Sequence, residues 1–222
     1  MYIHVVNVKS TERVDLVDVL VNWVFTLFFL PLTILFLVNK YGADLIADTE
    51  VKLFLEFIFV GMLPLLMVRV RGEPWDRYGF TTINWKNSVL YGLMASVPFL
   101  VPRVFAYFFD HYRGWSWSLE PFKLLYYIPV YGPLEAFFIV FSIYKIDKVF
   151  SDSRLLSRGL LMSSVLFGLI HYVNYIFHPD MLLVLRNYVL VNMVPAFMTG
   201  VLFKKTRSII APCVFWTIIN FA

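Results

Sequence analysis

Charged residues are scarce in this chain, and it has a single cysteine. Asp, Glu, Lys and Arg together make up 15% of its 222 residues, where a water-soluble domain carries about a quarter. So little polar surface cannot coat a globule in water, which excludes soluble single-domain and multidomain folds. Cys213 lies inside an apolar run, so there is no intrachain disulfide framework and no metal–thiolate cluster. No HExxH pair is present, and zinc catalysis ordinarily takes three protein ligands, so a metal ion has weak support and no cofactor is expected. There is no low-complexity segment. No internal repeat is visible either, which counts against a transporter built from inverted repeats.

What the chain holds in quantity is hydrocarbon and aromatic rings. It is 60% hydrophobic, with 6 Trp, 13 Tyr and 23 Phe, a composition that suits helices facing lipid with aromatic belts at the interfaces. The fold class expected is all-α: one transmembrane domain over residues 1–222, a polytopic bundle of about seven helices with proline-broken segments. The net charge of +4 invites a nucleic-acid reading. That reading is rejected, because the basic residues sit in short loops where membrane topology accounts for them.

A head, Met1–Leu16, carries Ser10, Thr11 and Glu12 placed like a helix start. The spans then read Val17–Val38, Val51–Val68, Asn87–Phe109, Phe122–Tyr144, Leu155–Phe177, Met181–Phe203 and a short Ser208–Ala222. The first is long enough to cross and has no small-residue cleavage site, so it is expected to be retained. Pro98 and Pro102 predict a kink or break in the third span. Pro129 and the Gly132–Pro133 pair predict one in the fourth, with Glu135 in the first turn of the restarted helix. The segments Arg69–Lys86 and Asp110–Pro121 read as interfacial loops, the former anchored by Trp75 and Trp85. With the N-terminus in the cytoplasm, the inside segments hold 13 of the 19 basic residues, as the positive-inside rule asks. A cell-membrane protein with that orientation is the expectation.

Three polar residues fall at one depth. At ~1.5 Å per residue from the cytoplasmic helix ends, Glu135 lies roughly 14 Å in, Asn220 roughly 18 Å and His171 roughly 20 Å. Ionisable groups inside a membrane usually face a bundle interior or a wet cavity. Each also has a bland alternative: His171 as a hydrogen-bonded structural group, Glu135 as a cap on a broken helix, and Asn220 as a cross-link between helices. Asn174, Asn187 and Asn192 read as such cross-links, Asn174 being the best placed to support the site. Glu56 and Arg103 are left to pair with each other or to reach for the interface. His4, His111 and His178 fall in the head or in loops and read as solvated.

These residues reach a family. FGLIH, Phe167 to His171, with its continuation HYVN to Asn174, resembles the second motif (FxxxH) of the CPBP family of intramembrane proteases. That family holds the type II CAAX prenyl endopeptidases and the bacteriocin-processing and immunity proteins. PLEAFFIV stands where the family has EExxxR, and PCVFWTIIN where it has HxxxN. DRYGFTTINWKNSVLYG is similar to the stretch before its core, so the resemblance covers about residues 76–222. In this register Ala136 replaces the second glutamate, Val140 the arginine and Trp216 the third-motif histidine. A shifted register makes Glu135 the second glutamate, after Leu134, with Ile139 at the arginine place. The resemblance implies an endopeptidase in which Glu135 and His171 activate water and Asn220 serves the oxyanion. The substrate would be a membrane-anchored or lipidated peptide arriving from the bilayer. Trp216, through its indole N–H, is the candidate for the missing donor. A relative without catalysis, acting as scaffold or chaperone, is the alternative that the three replacements favour.

Overall fold

The structure, a computed structural model, describes residues 8–43, 50–109, 125 and 127–221. His4, His111 and the loop Asp110–Pro121 lie outside the described residues. Six helices are long and apolar enough to cross a membrane: α1 (Arg13–Tyr41), α2 (Val51–Arg71), α3 (Trp85–Phe105), α4 (Tyr127–Val149), α5 (Arg158–Ile176) and α6 (Met181–Thr206). The protein is an integral, multi-pass membrane protein. The seventh expected span is a helix, α7 (Ile210–Phe221), of 12 residues. At ~1.5 Å per residue it is about 18 Å long, short of the ~30 Å of a hydrocarbon core.

Proline acts more gently than the sequence suggests. The third span runs on through Pro98 and Pro102 as one helix, and the fourth is widened, not broken. A single π-helical turn, Val130–Leu134, takes up Pro133, and regular α-helix resumes at Glu135. Similar turns, Phe25–Phe29 and Phe57–Met62, precede Pro31 and Pro64 in α1 and α2. A wide turn accommodates a missing N–H without ending the helix. Neighbouring helices then use the carbonyls at such turns: the Tyr172 hydroxyl donates to the carbonyl of Leu27 at 2.7 Å.

Helix α4 is the axis of the bundle. Of its most apolar stretch 67% is buried, against 17–44% for the other five crossing helices. Ala136 to Ile143 are sealed on every side, packed against α1, α5, α6 and α7. The outer faces are hydrocarbon, as a bilayer requires: Phe28, Leu32 and Phe36 project outward along α1, and Leu90, Met94, Val97 and Val101 along α3.

One end of α4 is locked by charge. The Lys145 ammonium is fully buried and donates to Asp15 at 2.7 Å, to Asp18 at 3.0 Å and to Glu73. Arg71 binds Asp18 at 2.9 Å, Lys148 binds Asp15 at 2.5 Å, and the Tyr78 hydroxyl donates to Glu73. Burial and the adjoining Glu73 carboxylate push the Tyr78 phenol above its ordinary range, so it remains a donor at any physiological pH. Asp15, Asp18 and Glu73 stand close enough together to hold a cation, and the Lys145 ammonium is that cation. A second knot lies beside it: Asp147 accepts from Lys204 at 2.5 Å, from Ser157 at 2.8 Å and from the Gly159 N–H at 2.8 Å. Together they tie the starts of α1 and α5 and the ends of α2, α4 and α6 at one side of the bundle, in keeping with alternating spans.

Candidate functional site

Glu135 is the first residue beyond the wide turn of α4. The residue before it, Leu134, is helical and makes no capping bond, and the Glu135 carboxylate turns across the bundle instead of back onto its own backbone. The capping alternative is thereby excluded. Its Oε2 accepts from the Trp216 indole N–H at 2.6 Å and, at 3.4 Å, from the Asn220 amide. Asn220 also donates to the carbonyl of Tyr131, inside the wide turn. The first is a short bond and the 3.4 Å contact is at the weak limit.

Close packing of α7 on α4 makes those bonds possible. A Cβ at Gly132 would fall 2.3 Å from Oγ1 of Thr217, so glycine leaves the room that this side chain fills. Arg103, from α3, donates to the carbonyl of Ile219 and holds the end of α7 against the bundle. Arg103 thus serves a carbonyl of α7, while Glu56 Oε2 is buried without a hydrogen-bond partner among the described residues.

His171 closes the regular part of α5, where the helix tightens to a 3-10 segment, His171–Ile176. Its Nδ1 lies 3.0 Å from the carbonyl of Phe167. A carbonyl only accepts, which assigns the proton to Nδ1 and leaves Nε2 with a lone pair. The Asn174 amide donates to the His171 carbonyl at 3.0 Å, so Asn174 supports the backbone turn and not the ring. Phe167 links the two halves of the site: its ring stands edge-on to Trp216 at 5.2 Å between centroids and 5.4 Å from the imidazole.

Glu135, Trp216 and Asn220 are thus joined directly, and His171 is one ring contact away. Trp216 and Phe167 are sealed, whereas Glu135, His171 and Asn220 are each only partly buried. Among the described residues, Glu135 Oε1 receives no hydrogen bond, which leaves one carboxylate oxygen for a water or a substrate. The group that sequence reasoning missed is Tyr131, whose carbonyl holds Asn220. Tyr131 lies a helical turn before Glu135, and that spacing was a signal.

Residues 117–222, which carry Glu135, His171, Trp216 and Asn220, match the family described as type II CAAX prenyl endopeptidase Rce1-like. No curated protein and no solved structure gives a significant match. The matched segment contains the whole of α4, α5, α6 and α7, the helices that build the site. Over residues 117–222, then, the chain is similar to the type II CAAX prenyl endopeptidase Rce1-like family.

Proposed function

We propose that this protein is an intramembrane endopeptidase that uses Glu135 and His171 to activate water against a peptide bond of a membrane-anchored or lipidated substrate. One observation carries the reading: a carboxylate inside the bundle, with Oε2 held by Trp216 and Asn220 and Oε1 unengaged among the described residues. Oε1 takes a proton from water as the oxygen attacks the scissile carbonyl, a step in which a positioned base contributes ~100–10,000-fold. His171 is left with a lone pair on Nε2. In this reading it steadies the water and relays the proton taken by Glu135 to the departing amine as the C–N bond breaks. The Asn220 N–H donor, its Nδ2 3.4 Å from Oε2, makes the loosest bond in the site and turns to the developing oxyanion. Trp216 donates to Glu135 and cannot accept; it fixes the carboxylate. An N-terminus in the cytoplasm and residence in the cell membrane complete the proposal, on the strength of the distribution of basic residues.

The test uses the purified protein in liposomes with a quenched fluorescent peptide bearing a farnesylated cysteine. Glu135→Gln and His171→Ala are each expected to abolish cleavage while the helical content and elution profile are kept. Undiminished cleavage by either variant rejects the mechanism. A second reading, a scaffold for another membrane protein, is favoured by Ala136 and Val140, both sealed in hydrocarbon where the family pattern carries charge. It predicts no cleavage by the wild type and a stoichiometric partner that both variants still retain.

A further inference from the structure

Helix α1 carries a carbonyl whose regular partner is missing. In an α-helix the Leu27 carbonyl would accept from the N–H four residues on. That residue is Pro31, which has no N–H. Leu27 lies inside the wide turn Phe25–Phe29, and its carbonyl is taken by α5 instead: the Tyr172 hydroxyl donates to it at 2.7 Å. Tyr172 follows His171 directly, and both belong to the 3-10 segment His171–Ile176.

That segment decides what the imidazole can do. In an α-helix the His171 N–H would bond the carbonyl of Phe167, four residues back. Here the chain has tightened, and the His171 N–H points to Gly168, three back. The Phe167 carbonyl is thereby released, and Nδ1 of the His171 ring takes it at 3.0 Å. A carbonyl only accepts, so the tight turn puts the proton on Nδ1 and keeps the lone pair on Nε2. If the turn relaxed to α-helix, backbone and ring would compete for one acceptor.

The segment runs 6 residues, longer than 3-10 geometry usually persists, and needs support from outside. Its other bonds are local: the Asn174 amide donates to the His171 carbonyl at 3.0 Å, and the Phe177 N–H to the Asn174 carbonyl at 3.0 Å. These move with the segment. Among the described residues, the Tyr172 hydroxyl makes its one hydrogen bond to another helix.

We propose that Tyr172 is a positioning residue of the site: by donating to the carbonyl that Pro31 leaves open on α1, its hydroxyl holds the tight turn that sets the tautomer of His171. Helix α1 lies outside residues 117–222, so a part of the chain beyond the matched segment takes a share in the site. The effect on turnover rests on the peptidase reading; the effect on the tautomer does not.

Tyr172→Phe deletes the hydroxyl and keeps the ring. Nitrogen NMR of the full chain in liposomes, labelled with 15N-histidine and held at mildly alkaline pH, reads which ring nitrogen carries the proton. The His171 signal is the one absent from His171→Ala. The wild type is expected to show a protonated Nδ1 and a bare Nε2, and Tyr172→Phe a mixture of the two tautomers. Tyr175→Phe, which alters an exposed ring of the same segment, keeps the wild-type pattern. With the farnesylated peptide, Tyr172→Phe lowers kcat about 3–10-fold, the worth of one hydrogen bond, with KM within about twofold. A merely structural bond would lower Tm and leave both the tautomer and the kcat of the folded protein unchanged, and that result overturns the inference. So does a tautomer shift in Tyr175→Phe as large as in Tyr172→Phe. If the wild type cleaves nothing, the peptidase reading fails by itself, and the nitrogen spectra still decide whether Tyr172 sets the tautomer.

Discussion

Among the ionisable side chains of helix α4 are Lys145 and Glu135, about 15 Å apart along its axis, and the protein treats them in opposite ways. Lys145 meets three carboxylates, and two of these are bound in turn by Arg71 and Lys148. Every charge there has an answer, and nothing is left over for a ligand. Among the described residues Glu135 meets neutral donors only, on one oxygen. Residues that saturate each other make a lock. A carboxylate left partly unanswered keeps the reactivity that a lock would remove, at some cost in stability.

Four substitutions and one titration probe that contrast. The largest effect falls on Glu135→Gln, with turnover down ~100–10,000-fold and Tm unchanged or raised, measured by peptide cleavage and thermal unfolding on one preparation. Next comes Lys145→Met, which strands three carboxylates. Removing one partner of a buried pair costs ~3–5 kcal/mol, or roughly 10 °C in Tm, while turnover per folded molecule stays within about twofold. If the two variants exchange these signatures, the division between lock and site is wrong. Trp216→Phe keeps the edge contact with Phe167 and deletes one N–H. A hydrogen bond to a charged group is worth ~1.5–3 kcal/mol, so turnover should drop about 10–100-fold with little change in KM.

Gly132→Ala drives a methyl against Thr217 and should destabilise by ~1–3 kcal/mol; adding Thr217→Ala should recover most of it, since the hydroxyl is the nearer atom. The smallest effect belongs to a surface loop. Arg154 grips Asp152 through two side-chain bonds at 2.9 and 2.8 Å, which holds that carboxyl below the usual range. Its contribution is present above the unfolded value, ~3.9, and is lost as pH falls through the folded one. The Tm difference between wild type and Asp152→Asn should therefore be constant at neutral pH and vanish in strong acid.

Much of this was legible in the sequence, and the part that was not has a physical cause. Length and apolar runs located the six crossing helices, because hydrocarbon thickness fixes how many residues a span needs. Depth counting put Glu135 and Asn220 on one level, and they do touch. The indole of Trp216 was a candidate donor because it can do nothing else with its N–H, although its acceptor is Glu135. Rotation about the helix axis was not legible. Asp18, inside the first expected span, and Lys145, just past the end of the fourth, are partners at 3.0 Å. Glu56 and Arg103 were left to pair or to reach for the interface, and Arg103 serves the Ile219 carbonyl. A pairing across the bundle depends on azimuth and packing, and no local pattern encodes either. Proline was overread: the rule that it ends a helix omits the wider turn that absorbs it.

That turn, Val130–Leu134, has a consequence for how the site is aimed. A π-helical turn holds one residue more than the α-helix around it, and one residue is worth about 100° of rotation. The stretch bearing Tyr131 and the stretch bearing Glu135 are therefore out of phase by more than a quarter of a circle relative to an unbroken helix. Deleting a single residue between them would restore ideal geometry and swing the carboxylate away from Trp216, leaving a straighter helix that points its one acid at the wrong neighbour.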